Sequence, residues 1–135
     1  MSQIAFDLDG VLVPDFDQLP MIGGLDEFYH MSTYIRPIFA PQGDYSIITA
    51  RPAEYRSLTW QWCEKYLYPM PVKLFHERTS ETGGAYKANV LNNNKQIQTY
   101  VESDPGIVAY LKKHVTTGCE IVHFEYFLQR QFMRV

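Results

Sequence analysis

The stretch Ile4-Ala5-Phe6-Asp7-Leu8-Asp9-Gly10-Val11-Leu12 decides how this chain of 135 residues is read. An apolar run long enough for one strand meets two carboxylates at spacing two, and a glycine follows at once. Residues two apart on a strand share a face. The two carboxylates are therefore expected to enter one cavity where the strand ends, with Gly10 permitting a sharp turn. A close acid pair in such a place holds a divalent cation or divides the roles of nucleophile and proton donor.

Outward from this stretch, short apolar runs alternate with helical spacing. Strands are predicted over Ile4–Leu8, Tyr45–Thr49, Val72–Phe75, Gln98–Val101 and Glu120–Phe124. Several are apolar on both faces, as buried parallel strands tend to be. Leu25, Phe28, Tyr29 and Ile35 mark a first helix that Pro37 ends, and Tyr55, Leu58, Trp62 and Tyr66 mark a second, with Pro52 at its first turn. Tyr86, Val90 and Leu91 mark a third, Ile107, Val108 and Leu111 a fourth, and Phe124, Phe127 and Leu128 share a face in the tail. That tail is expected to pack on the sheet, with a dimer contact as the other reading. Alternation of this kind predicts an α/β fold: a doubly wound, mainly parallel five-stranded sheet in a single domain over 1–135. Ligands of such sheets bind beyond the carboxyl ends of the strands.

Three further places combine a strand or helix end with chemistry. The second strand runs into Thr49-Ala50-Arg51-Pro52, where a hydroxyl meets a helix start; Thr49 either contacts phosphate oxygens or caps the helix. Lys87 follows Gly83-Gly84 near the start of the third helix, the wrong end for the helix dipole, so an anion to neutralise would explain it. The fourth strand ends in Glu102-Ser103-Asp104-Pro105, which adds two acids to an oxygen-rich pocket suited to Mg²⁺. Asp104 before Pro105 also has the form of a helix N-cap.

Composition narrows the class. A hydrophobic share of 46% with 20% charged residues supports a folded core, and a net charge of −3 argues against a protein that coats nucleic acid or an anionic membrane. Residues 1–50 hold seven acids and one base, whereas residues 51–95 hold seven bases and four acids. Such asymmetry marks either a site where cation and anion meet or a solvated face. No apolar run is long enough to span a bilayer. The N-terminus lacks a basic region before an apolar stretch, so no signal peptide is expected. Cys63 and Cys119 suit a reduced, cytoplasmic setting. His30, His76, His114 and His123 show no metal-ligand spacing and are read as structural.

Together these residues resemble the haloacid dehalogenase (HAD) superfamily of phosphohydrolases. The likeness covers residue 3 to about 124 and rests most on Asp-Leu-Asp-Gly-Val-Leu, with Thr49, Lys87 and the Glu102 cluster following in the family's order. The resemblance implies that Asp7 is the nucleophile and Asp9 the general acid and base. It implies that Thr49 and Lys87 contact the transferring phosphoryl group. Mg²⁺ would be bound by Asp7, the Asp9 carbonyl and Glu102, with Asp104 in support. Glu-Ser-Asp departs from the family's Asp-Asp or Asp-x(3–4)-Asp, lengthening one acid and inserting Ser103. Neither the 35 residues from Gly10 to Asp44 nor the 35 from Pro52 to Tyr86 can hold a cap domain. The site is expected to be open, covered at most by a flap over Val11–Gly24 or by a neighbouring subunit, the protein being either a monomer or a small homo-oligomer.

Thr49-Ala50-Arg51-Pro52 with Tyr55-Arg56-Ser57-Leu58-Thr59-Trp60-Gln61-Trp62 also looks like the corresponding stretch of polynucleotide kinase-phosphatase domains. That likeness implies a phosphorylated substrate at a nucleotide or nucleic-acid end, although the helical spacing of the Trp and Tyr residues suits core packing better than base stacking. Two other functions remain in play: a sugar-phosphate phosphatase capped by an oligomer partner, and a non-catalytic binding module of the same fold. The roles of Arg51 and Arg78 are left open by the sequence.

Overall fold

A computed structural model describes residues 3–16, 23–79 and 81–132. Its five strands are β1 (Ile4–Phe6), β2 (Ser46–Ile48), β3 (Lys73–Phe75), β4 (Thr99–Glu102) and β5 (Glu120–His123). All neighbours pair in parallel in the order β3-β2-β1-β4-β5. The helices are α1 (Gly24–Met31), α2 (Arg56–Tyr66), α3 (Gly83–Asn92), α4 (Pro105–His114) and α5 (Phe124–Phe132). The doubly wound α/β class expected from the sequence is the class found.

Period-two alternation sorts the strand side chains into two clusters. Phe6, Ile47, Val101 and Val122 join Trp62 and Cys63 of α2 and Phe127 of α5. Ala5, Ile48, Tyr100 and Ile121 join Tyr86, Val90 and Leu91 of α3 and Val108 and Leu111 of α4. Apolar residues on both faces of a strand thus acquire a helical layer on each side. Burying each large side chain in these clusters contributes about 1.5–3 kcal/mol.

The strands are shorter than the apolar runs. Leu8 is buried, yet it lies in a turn in which Val11, Leu12 and Val13 all donate their N–H to its carbonyl. Apolar character there reflects burial of the turn rather than strand pairing. The first helix likewise stops at Met31, continues as a short 3-10 turn over Ser32–Tyr34, and becomes extended at Ile35, before Pro37 is reached. Tyr55 belongs to a 3-10 turn over Ala53–Tyr55 rather than to α2.

Trp62 is in the core at 3% exposure and donates its indole N–H to the Ile35 carbonyl at 2.7 Å, whereas Trp60 is 38% exposed. Tail residue Phe127 packs edge-on against Phe6 and Phe39, so α5 covers the sheet. The described residues between β1 and β2 form no inserted domain. Part of the stretch expected to act as a flap, residues 17–22, lies outside the described residues. Among the described residues no helix is long and apolar enough to cross a membrane.

Chain order makes β1 and β4 neighbours although β2 and β3 intervene in sequence, so strand order reverses between them. A crevice opens beyond their carboxyl ends, the place where doubly wound sheets bind ligands.

Candidate active site

Asp7 stands one residue past β1, and its N–H still donates to the Val101 carbonyl of β4 at 2.9 Å. Backbone pairing therefore fixes where the carboxylate points. Its Oδ1 accepts from the Leu8 N–H at 2.8 Å and from Lys87 Nζ at 3.0 Å, and its Oδ2 accepts from the Ser103 hydroxyl at 3.1 Å. Lys87 also donates to Glu102 Oε1 at 2.7 Å. Glu102 accepts three more hydrogen bonds: from the Tyr100 hydroxyl at 2.8 Å and from the Ser103 and Asp104 N–H groups at 3.1 Å each.

Two carboxylates thus share one ammonium, with Asp7, Lys87 and Glu102 only 5%, 2% and 1% exposed. Burial and the neighbouring Glu102 charge push the Asp7 carboxyl well above the usual range. Burial acts on Glu102 in the same sense, but Lys87 and the hydrogen bonds outweigh it and hold Glu102 low. Lys87 pays a burial penalty that the two carboxylates overcome, so it stays charged. Of the two carboxyls, Asp7 is therefore the one on which a charge is disfavoured and which takes up a proton more readily.

Asp9 has a different partner. Arg51 grips it with two hydrogen bonds, Nη2 to Oδ1 at 2.6 Å and Nε to Oδ2 at 2.9 Å. This fork geometry is the strong form of the arginine–carboxylate pair. The guanidinium lies 4.9 Å from the Tyr29 ring centroid and 5.6 Å from that of Phe28, and its Nη2 also reaches Ser32 Oγ at 3.2 Å. Helix α1 therefore serves to wall Arg51 in.

Gly10, at φ +86°, lets the chain turn away directly after Asp9, and a Cβ there would lie 2.6 Å from Ser103 Oγ. Ser103 uses that space to reach both Asp7 Oδ2 and the Asp9 carbonyl, the latter at 3.0 Å. Its own carbonyl is bonded to His123 Nε2 at 2.9 Å, so one of the four histidines borders the site. At α3, Gly83 permits close approach to the loop after β2, since a Cβ there would lie 2.9 Å from the Ala50 Cβ. That approach brings Lys87 inward.

Asp7, Asp9, Lys87, Glu102 and Asp104 all line one pocket of about 160 Å³, together with Arg51, Ser103, Asp15 and Tyr29. Thr49 does not line it: its hydroxyl is buried and accepts the Arg51 N–H at 3.2 Å. Arg78 is bound to the Ala50 and Glu81 carbonyls, so it ties the loop rather than facing the pocket. A wider groove of about 680 Å³ adjoins through Asp15, Ser103 and Asp104 and continues past His123, Phe124 and Leu128.

The residues that matter here and escaped assignment from sequence are Arg51 and Ser103. The available signals were a basic residue two positions after a strand-end hydroxyl and a serine between two acids, both too common to interpret alone.

Among the described residues no three His, Cys, Asp or Glu side chains converge as a ready metal cage. Glu102 already accepts four hydrogen bonds, and Asp104 Oδ1 caps α4 by accepting from the Gly106 and Ile107 N–H groups at 2.7 and 3.3 Å. Mg²⁺ fits a smaller set. Asp7 Oδ2 and the Asp9 carbonyl converge on one hydroxyl, and all three atoms are hard oxygens. Glu102 and Asp104, expected to join the Asp7 carboxylate and the Asp9 carbonyl around Mg²⁺, are turned to other partners here: Glu102 accepts from Lys87, and Asp104 caps α4.

No protein-family model matches this chain, and no curated protein sequence does. Among solved structures, a chain in the structure described as the Pnkp1/Rnl/Hen1 RNA repair complex is similar, with a TM-score of 0.67 and 14% identity over 91% of this chain and 42% of that one. This chain therefore spans less than half the length of that relative. At such an identity the likeness is one of fold: a five-stranded, parallel, doubly wound α/β sheet.

Proposed function

We propose that the protein hydrolyses phosphomonoesters through a phosphoryl group carried by Asp7. The observation that supports this most is the convergence of Asp7, Lys87 and the Arg51-held Asp9 on one small pocket at the strand ends. In the first step an Asp7 oxygen forms a bond to phosphorus, the bond from phosphorus to the ester oxygen breaks, and Asp9 gives that oxygen its proton. Water then attacks phosphorus, Asp9 takes up the water proton, and Asp7 is released. Lys87 offsets charge at Asp7 and on the phosphoryl oxygens.

With both oxygens accepting from Arg51, the resting Asp9 is arranged for the second step. The first step needs a proton on Asp9 and hence the loss of one Arg51 hydrogen bond. Bound Mg²⁺ would be held by Asp7 Oδ2, the Asp9 carbonyl and Ser103 Oγ, and would supply positive charge opposite the transferring group.

The 160 Å³ pocket suits a phosphoryl group, which leaves the adjoining groove for the rest of the substrate. Similarity to a chain from an RNA repair complex supports a nucleotide or nucleic-acid end as that remainder. The groove favours a second reading, a small phosphate ester. Asp15, Asp104 and Glu125 line it with no lysine or arginine, and Lys87 and Arg51 are already paired within the site.

Phosphate release from nucleotides, sugar phosphates and 3′- or 5′-phosphorylated oligonucleotides, with and without Mg²⁺, tests both readings. Asp7→Asn serves as the blank. Metal-dependent release that vanishes in this variant is expected. Silence from the folded protein across the whole panel would replace the hydrolase with a non-catalytic binding module.

A further inference from the structure

Behind the Arg51–Asp9 pair lies a buried polar chain that the proposed chemistry does not use. Arg51 Nη1 contacts Thr59 Oγ1 of α2 at 3.5 Å, and Thr59 Oγ1 is bonded to His76 Nε2 at 2.9 Å. The same hydroxyl lies 3.2 Å from the Tyr55 carbonyl. Thr59 and His76 are 1% and 0% exposed, and His76 Nδ1 has no partner.

Proton placement in this chain follows from its partners. Thr59 has one hydroxyl proton, and the Tyr55 carbonyl is an acceptor for it. Burial lowers the His76 imidazole to about 4, so the ring is neutral at neutral pH and bears one N–H. An orphaned N–H is rarer than an unpaired acceptor, which assigns the proton to Nε2 and leaves Nδ1 as the bare nitrogen. His76 then donates to Thr59, Thr59 donates to Tyr55, and the remaining lone pair of Thr59 faces Arg51.

We propose that Thr59 and His76 are positioning residues that hold Arg51 in the plane from which it grips Asp9. This rests on the role given to Asp9 above. The chemistry of the site explains why a histidine is there. A lysine would set a second cation beside the guanidinium. An aliphatic residue would pack without an unpaired atom but would remove the donor to Thr59 Oγ1, leaving that oxygen held only through the Tyr55 carbonyl and the long Arg51 contact. A neutral imidazole supplies one fixed donor and no charge, with an unpaired Nδ1 as the unfavourable remainder.

Three variants and two readouts test the proposal. In phosphate-release kinetics, His76→Leu and Thr59→Val should each lower kcat by about tenfold or more with KM nearly unchanged, and His76→Gln, which keeps an N–H donor at the same reach, should stay within about threefold of the parent. In NMR, the Arg51 Nε–H should be protected from exchange in the parent and in His76→Gln and lose that protection in His76→Leu and Thr59→Val. A folded His76→Leu or Thr59→Val protein that keeps both its kcat and its protected Nε–H would overturn the proposal. If His76→Leu does not fold, Thr59→Val decides alone. If the parent hydrolyses nothing, the hydrolase reading fails, and the Nε–H readout still decides the positioning.

Discussion

Lys87 reaches Asp7 Oδ1 at 3.0 Å across eighty positions of sequence, and among the described residues it is the only cation between Asp7 and a second buried carboxylate, Glu102, at 2.7 Å. Lys87→Met would strand two carboxylates side by side. Breaking a buried pair by removing one partner costs about 3–5 kcal/mol, and chemical denaturation should show a loss of that order together with loss of turnover. Asp7→Asn instead removes the carboxyl on which burial and Glu102 disfavour a charge. It should abolish phosphate release yet unfold at the same midpoint or higher, with up to about 2 kcal/mol gained. A strongly destabilised Asp7→Asn protein would contradict the charge assignment made for this site.

Ser103 joins Asp7 Oδ2 to the Asp9 carbonyl where a third acid would complete a cation site. Ser103→Asp should lower the melting temperature in chelator, because it adds a carboxylate beside Asp7. With Mg²⁺ it should gain more than the parent does; a concentration a hundredfold above Kd contributes about 2.7 kcal/mol. Equal Mg²⁺ responses in the two proteins would show that the cation does not bind at these oxygens.

Gly10 combines a left-handed backbone with close contact to Ser103, whereas Gly43, at φ +73°, has nothing within 4 Å of an added Cβ. Alanine at either position bears the conformational penalty of about 1–2 kcal/mol. Only Gly10→Ala also pushes Ser103 off Asp7 and Asp9. Its stability loss should exceed that of Gly43→Ala, and only Gly10→Ala should lose turnover by about tenfold or more. Matching effects of the two substitutions on both measurements would rule out a role for the Gly10–Ser103 contact.

His76 makes acid stability specific to one residue. Its imidazole is lowered to about 4 in the fold, chiefly by burial and further by Arg51 and Arg56, against an ordinary value of 6.5. The unfolded chain binds the proton more readily between those values. This contribution is therefore complete above pH 6.5 and is lost as pH falls towards 4, to a total of roughly 3 kcal/mol. Urea unfolding at pH 7.5 and pH 4.5 should show the parent losing about 2–3 kcal/mol more than His76→Gln. The same loss in both proteins would place the acid sensitivity elsewhere.

Much of the fold was legible because strand and helix periods are local. Phe6, Ile47, Val101 and Val122 show the apolar runs, and Tyr86, Val90 and Leu91 show helical spacing, without reference to any distant residue. The same locality explains the errors. Leu8 and Val11–Val13 are apolar because a turn is buried, and the sequence has no separate mark for that. Asp7, Asp9 and Glu102 were visible as candidates because each follows or ends an apolar strand. Thr49 stood in an equivalent place, yet its hydroxyl holds the Arg51 N–H rather than lining the pocket.

By itself the sequence determined the alternation of strand and helix, the two-sided burial of the sheet, and the presence of acids at the strand ends, since all of these follow from neighbours within a few residues. Only the tertiary structure decided which charges meet. Arg51 takes Asp9, Lys87 takes Asp7 and Glu102, and Ser103 occupies the space that Gly10 leaves. The ion pairs among them join residues 15 to 80 positions apart, and burial away from water makes each one strong. A chain read residue by residue shows the groups but not the enclosure that gives their charges weight.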